Sequence, residues 1–198
     1  TAASQAANVG SIPITRSIPV AIPDAHRQVT MAMMTVAEIG VDLLTGLFAD
    51  RGLGVILVDA EEPIPGSYWG ESEAGLIGHR LFVRLDTPLH SALHEAAHYL
   101  CMDPQRREVL DRDAGGDYAE EDAVCYLQVL LIDRIAALTD SIRFNRQQLF
   151  ADMDAWGYTF RLGSAQRWFE ADADEARLWL AQRGMLARES QALTQVAS

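Results

Sequence analysis

Two histidines flank a glutamate and two alanines in His94-Glu95-Ala96-Ala97-His98, and this short run defines the chemistry open to the chain. On a helix, positions i and i+4 project from one face, a turn apart. Two imidazoles so placed converge on one ion at Zn–N distances of about 2.0–2.1 Å. Glu95 follows the first histidine directly. It is poorly placed to bind the same ion but well placed to hold a water beside it, take that water's proton and pass it to a leaving amine. The spacing predicts a Zn2+ site with His94 and His98 as ligands and Glu95 as the catalytic base. The competing structural account makes both histidines ordinary surface or core residues. Against it stands the setting, an apolar helix preceded by a strand.

A catalytic zinc takes three protein ligands and keeps one position open. No histidine follows His98, which excludes a third downstream histidine and directs the search to a carboxylate. The run Ala119-Glu120-Glu121-Asp122-Ala123 opens a second helical pattern. At 100° per residue, Val124, Leu127, Leu131, Ile135 and Leu138 form its buried stripe. Glu120 falls on that stripe, Glu121 at its edge in line with Cys125 and Gln128, and Asp122 opposite. A carboxylate among apolar residues is costly unless something pairs it, and a metal would. Glu120 is therefore the first candidate for the third ligand and Glu121 the alternative. The rest of the acidic turn suits the helix dipole. His90, a turn before His94, is too far along the helix to share an ion with His98. It reads as a surface histidine, with a place at the rim of the site as the alternative. Tyr118 and Tyr126 are equal candidates for stabilising an oxyanion.

The elements that must hold these residues can be read from periodicity. From Asp24 to about Asp50, Val29, Met33, Val36, Ile39, Leu43 and Leu47 recur at helical spacing. That helix is expected to break at Gly40 or Gly46, or to end near Gly52. Residues 54–59 form an apolar run expected to be a buried strand, Tyr68-Trp69-Gly70 a possible short strand, and residues 78–85 a strand with Leu81, Val83 and Leu85 on one face. Thr87 and Pro88 then start the motif helix, the threonine as cap and the proline in the first helical position, and the helix stops at Cys101 before Pro104. Residues 103–117 read as a charged loop. A second long helix covers about 118–139, and two or three short helices, anchored by Trp156, Trp168 and Trp179, fill 143–189.

The predicted fold class is α+β: a mostly helical domain, with a small antiparallel sheet before the motif helix and a helical C-terminal part. Three segments are expected, an extended N-terminal arm over 1–24, a catalytic domain over 25–140 and a helical segment over 141–198 packed on it. A net charge of −12 argues against nucleic-acid or anionic-membrane partners, which need basic surface. No run is long enough to cross a bilayer. Cys101 and Cys125 lack metal-ligand spacing and read as buried thiols of a reducing, cytoplasmic compartment.

With the helix of His94-Glu95-x-x-His98 followed by a second helix carrying Glu120 and, three positions on, the small Ala123, the chain resembles the gluzincin class of zinc metallopeptidases. The run Glu120-x-x-Ala123-x-x-Tyr126-Leu127-x-x-Leu130-Leu131 is similar in particular to the phage-repressor-cleaving (ImmA-type) metalloproteases. The stretches from Asp86 to Met102 and from Ala123 to Gln128 also resemble an uncharacterised bacterial protein family. Residues 78–132 carry the likeness. It departs where Val124 replaces a frequent Asn and where no helix-turn-helix partner domain is seen. The resemblance implies a zincin-like fold, Zn2+ as cofactor, a peptide or protein substrate docking as an added strand on 79–85, and hydrolysis through a metal-activated water. The alternative function is a non-catalytic, zinc-stabilised regulatory or interaction protein.

Overall fold

The structure, a computed structural model, describes residues 32–67, 72–111 and 114–196. The expected N-terminal arm, the first part of the first helix and the possible strand at Tyr68-Trp69-Gly70 lie outside these residues. Within them the chain is α+β and mostly helical, with one small sheet. No helix among the described residues is long and apolar enough to cross a membrane.

The first amphipathic run forms α1 (Val36–Ile39) and α2 (Val41–Phe48), separated at Gly40, where φ is +83°. Gly46 does not interrupt the helix. The Glu38 carboxylate accepts the Thr35 amide at 2.9 Å and closes the first turn of α1. A 3₁₀ turn then leads to the left-handed Gly52.

The sheet contains β1 (Gly54–Leu57), β2 (Gly75–Ile77) and β3 (Arg80–Val83) in the order β1-β3-β2. It is mixed, not antiparallel as expected. β2 and β3 form a hairpin about Gly78-His79, whereas the long connection after β1 returns the chain to the same end, so β1 and β3 run parallel. Leu81 and Val83 are buried as expected, but Leu85 lies past the strand and is 52% exposed. The expected buried strand at 54–59 is an exposed edge, with Ile56 and Leu57 facing outward. A short apolar run cannot distinguish an edge strand from a central one. β3 has neighbours on both sides, so 79–85 offers no edge to an extended peptide.

The motif helix α3 (Leu89–Cys101) starts differently from its expected cap. Pro88 occupies the cap position itself, and Thr87 Oγ1 turns back to accept the Arg84 amide at 2.9 Å. The amide of Leu89 instead donates to Met34 O at 2.8 Å, and the Val36 amide to Thr87 O at 2.9 Å. A backbone bridge from a distant segment thus replaces the local side-chain cap. Residues read as a charged loop contain α4 (Pro104–Val109), whose Asp103 accepts the Arg106 amide at 2.8 Å. The Asp-Pro pair ends one helix and begins the next.

The second long helix, α5 (Tyr118–Thr139), covers the expected span and is capped by Asp117, which accepts the Glu120 amide at 2.9 Å. It packs on α3 and against the C-terminal helices α6 (Arg146–Trp156), α8 (Asp174–Gln182) and α9 (Met185–Val196), while α7 (Ala165–Ala171) packs on α6. Among the described residues the C-terminal part holds four helices rather than the expected two or three: breaks fall between Gly157 and Gly163 and at Gly184, all three at positive φ, and a further break without glycine separates α7 from α8 at Asp172-Ala173. A continuous apolar core runs from Met34 through α2, β3, α3 and α5 to Leu180. Glu189 of α9 closes it by pairing with Arg51 at 2.8 Å.

Gly75 shows how tightly the sheet is joined to the loop before it. A Cβ there would run into the Pro65 carbonyl oxygen and come 2.5 Å from Ser67 N, both backbone atoms. We expect Gly75→Ala to lower stability by at least about 1–3 kcal/mol, the usual cost of overpacking. The midpoint of urea denaturation measures it, and an unchanged midpoint would contradict the packing described.

Candidate metal centre

Helix α3 sets His90, His94 and His98 along one side, facing α5. His94 Nε2 and His98 Nε2 point at each other across 3.1 Å, with the rings nearly perpendicular. Two nitrogens bound to one tetrahedral ion at the usual Zn–N length lie about 3.3 Å apart. The pair is spaced as if to share an ion.

Both rings are buried enough to remain uncharged. Desolvation pushes the His94 imidazole down to about 4, opposed by hydrogen bonding to Gln128. His98 is held well below the ordinary histidine range, first by desolvation and then by repulsion from His94 and from the Arg106 guanidinium. Neutral imidazole is the form that binds metal. The two lone pairs are available without a proton having to leave.

The structure brings Glu121 to the histidines, not Glu120. One ligand atom from each of His94, His98 and Glu121 lies within 4.8 Å of the others, and Glu121 Oε2 is 3.6 Å from His98 Nε2. Glu120 is buried as helix phase predicts, but a guanidinium pairs it: Arg106 Nη1 donates to Glu120 Oε2 at 2.8 Å. Arg106 Nη2 also donates to Ala114 O at 2.6 Å. A buried carboxylate needs a compensating cation. The cation sits on α4, a helix that periodicity did not reveal. Glu121 shares its edge of α5 with Cys125 and Gln128, and both of these are buried against the rest of the fold. The inward face of α5 is therefore wider than its aliphatic stripe.

Glu95 is half-buried next to His94 and stands outside the three-residue group. Its charge lies close enough to Tyr158 to help raise that phenol, which desolvation already holds well above the usual tyrosine range. Tyr158 was not among the sequence candidates. It comes from the loop after α6 and meets the edge of the His94 ring, at 5.6 Å between centroids. No spacing in the sequence links residue 158 to the motif, so only tertiary packing reveals it. Of the tyrosines that were candidates, Tyr118 is 61% exposed and Tyr126 stacks on Phe169 at 4.7 Å.

His90 is not a surface residue. It is fully buried beside Trp156 and Tyr158, and among the described residues neither ring nitrogen has a hydrogen-bond partner. Cys101 and Cys125 are free thiols. Burial pushes the Cys101 thiol up to about 12 and Cys125 well up as well, so neither offers a thiolate near neutrality.

His90 makes stability depend on pH in a calculable direction. Desolvation, then the neighbouring His94, lowers its pKa from 6.5 to about 3. Below 6.5 the unfolded chain takes up a proton that the folded chain refuses. This contribution is therefore fully present above the unfolded value and is lost progressively as the pH falls from 6.5 towards about 3. We expect His90→Phe, measured by denaturant titration of metal-free protein, to lose stability less steeply across that window, by up to about 1.4 kcal/mol per pH unit. Parallel curves for the two proteins would refute the assignment.

Comparison of the chain with protein-family models, curated proteins and solved structures finds no match.

Proposed function

We propose that the protein is a zinc-dependent metallopeptidase of the gluzincin kind, with His94, His98 and Glu121 as the protein ligands. The observation that carries this reading is the 3.1 Å approach of the two Nε2 atoms with the Glu121 carboxylate beside them. Two neutral imidazoles and one carboxylate are a donor set that zinc accepts while keeping a coordination position open.

Zn2+ held there would supply Lewis acidity towards a water and a peptide carbonyl. The chain's own groups do the rest. Glu95, next to His94 but outside the ligand group, takes the proton of the attacking water and returns it to the leaving amine. Tyr158, kept protonated by its surroundings, can donate a hydrogen bond to charge that develops on the carbonyl oxygen. Arg106 neutralises Glu120, so the centre does not carry two competing carboxylates. The substrate class is a peptide or protein.

A second reading has its own support. His98 is only 5% exposed and the aromatic ring of Tyr158 lies against His94, which suits an ion that fastens α3 to α5 in a non-catalytic regulatory or interaction protein. The two readings share the ligands and differ in Glu95.

Purified protein should bind one equivalent of zinc, measured by elemental analysis. Glu121→Ala should weaken binding by more than about 100-fold, beyond what loss of a supporting group usually costs. Glu120→Ala should keep the ion. The reverse pattern would reinstate Glu120 as the ligand. Glu95→Gln should retain zinc and slow cleavage of a peptide library by about 100-fold or more. Zinc binding with no cleavage by the wild type would leave the fastening role.

A further inference from the structure

His79, in the turn between β2 and β3, stands apart from the metal centre and touches β1, α3 and α4. Its backbone oxygen accepts the Gly54 amide of β1 at 2.9 Å. Its ring reaches Tyr99 of α3, with Nδ1 2.8 Å from the hydroxyl, and Glu108 of α4, with Nε2 3.2 Å from Oε1. The residue before it ties the same turn to the end of α4, where the Gly78 amide donates to Leu110 O at 3.0 Å. Tyr99 is buried, and its hydroxyl lies 3.0 Å from Gly52 O. Polar contacts therefore run in one line from Glu108 through His79 and Tyr99 to Gly52.

One arrangement of protons satisfies every link in that line. A carbonyl oxygen only accepts, and so does an ionised carboxylate. The single proton of the Tyr99 hydroxyl goes to Gly52 O, which leaves its oxygen to accept from His79 Nδ1–H. At the other end Glu108 accepts from Nε2–H. All three bonds form together only when both ring nitrogens carry hydrogen, which is the imidazolium. A neutral ring gives one of them up. With its proton on Nδ1, the Nε2 lone pair faces a carboxylate oxygen. With its proton on Nε2, the Tyr99 hydroxyl must turn to Nδ1 and abandon Gly52 O.

Glu108 is the carboxylate that faces the ring, and the cations nearby are directed elsewhere. Arg107 of α4 lies over the Tyr99 ring at 4.3 Å, Arg80 beside His79 lies over Phe82 at 5.9 Å, and Arg51 before Gly52 pairs with Glu189. From this geometry we propose that His79 is a proton-operated clasp, which when charged fastens α4 to α3 and to Gly52, and when neutral gives up one of these links. Its reach extends to the third ligand, because α4 also carries Arg106, the partner of Glu120. That consequence rests on the metal-centre reading, whereas the clasp itself does not. The ring and the carboxylate are 46% and 73% exposed, so the grip it adds is a few-fold one.

The test is amide hydrogen exchange of metal-free, full-length protein at about pH 8 and about pH 5.5, values on either side of the range in which an unperturbed imidazole takes up its proton. Rates are read as protection factors, which removes the intrinsic effect of pH on exchange. In the wild type, protection of the Gly78 and Leu110 amides should rise about two- to fivefold at the lower pH. His79→Gln has no proton to gain and should show no rise. Glu108→Gln should abolish the rise as well, because a carboxamide can donate to Nε2 and so keeps both bonds of a neutral ring protonated on Nδ1. Glu108 is exposed, so this second variant keeps the fold. Equal wild-type protection at the two pH values would overturn the proposal, and so would the full rise persisting in Glu108→Gln. Zinc and peptide are absent throughout, so failure of the metallopeptidase reading leaves this result standing.

Discussion

Everything at this site depends on how closely α3 approaches α5 and on its being held at both ends. Both helices carry fully buried alanines, Ala92, Ala96 and Ala97 on one and Ala123 on the other, and small side chains let helix backbones come near. At its N-terminus α3 is tied to the segment before α1 through the Leu89–Met34 bond. In the middle Gln128 crosses from α5 to the His90 carbonyl. At the C-terminus the Arg107 guanidinium takes up Tyr99 O at 2.8 Å and Leu100 O at 3.2 Å, satisfying carbonyls that the helix leaves open. A helix held in this way can keep two imidazoles uncharged and facing each other.

The short helix α4 is the bracket that sets which carboxylate meets the histidines. Its neighbouring arginines act in opposite directions. Arg107 binds the end of α3, and Arg106 binds Glu120 and the carbonyls of Ala114 and Gly115 just before α5. The end of one helix is thereby fastened to the start of the other. With Glu120 drawn to Arg106, the next residue on α5, turned by about 100°, is the one that meets the histidines. Electrostatic pairing of one carboxylate selects its neighbour for the site.

The C-terminal helices add to the centre as well as to the core. The turn at Gly157, where φ is +105°, brings Tyr158 back against His90 and His94. Trp156 completes the apolar wall around His90, at 5.1 Å between centroids. This wall is what removes water from the histidines and keeps them neutral, so the low proton affinity of the site is built by residues more than fifty positions from the motif.

The amino-acid sequence by itself determined the local features: the histidine pair at helical spacing, α5 from end to end, an interruption of the first helical run at one of its glycines, and the α+β class with its helical majority. Each is written in nearest-neighbour terms, as periodicity, caps and glycines. Helix phase also brought the carboxylate facing the histidines down to adjacent residues, Glu120 and Glu121, which differ only in what stands opposite them. Tertiary structure alone decided between them, because the partner of Glu120 is an arginine on a helix concealed by charged residues. It alone decided that β3 is central, that His90 is buried, that Met34 and not Thr87 meets the first amide of the motif helix, and that Tyr158 joins the site. The reason is common to all of these: hydrogen bonds and desolvation depend on which distant groups arrive, and a pattern of neighbours along the chain does not record arrivals.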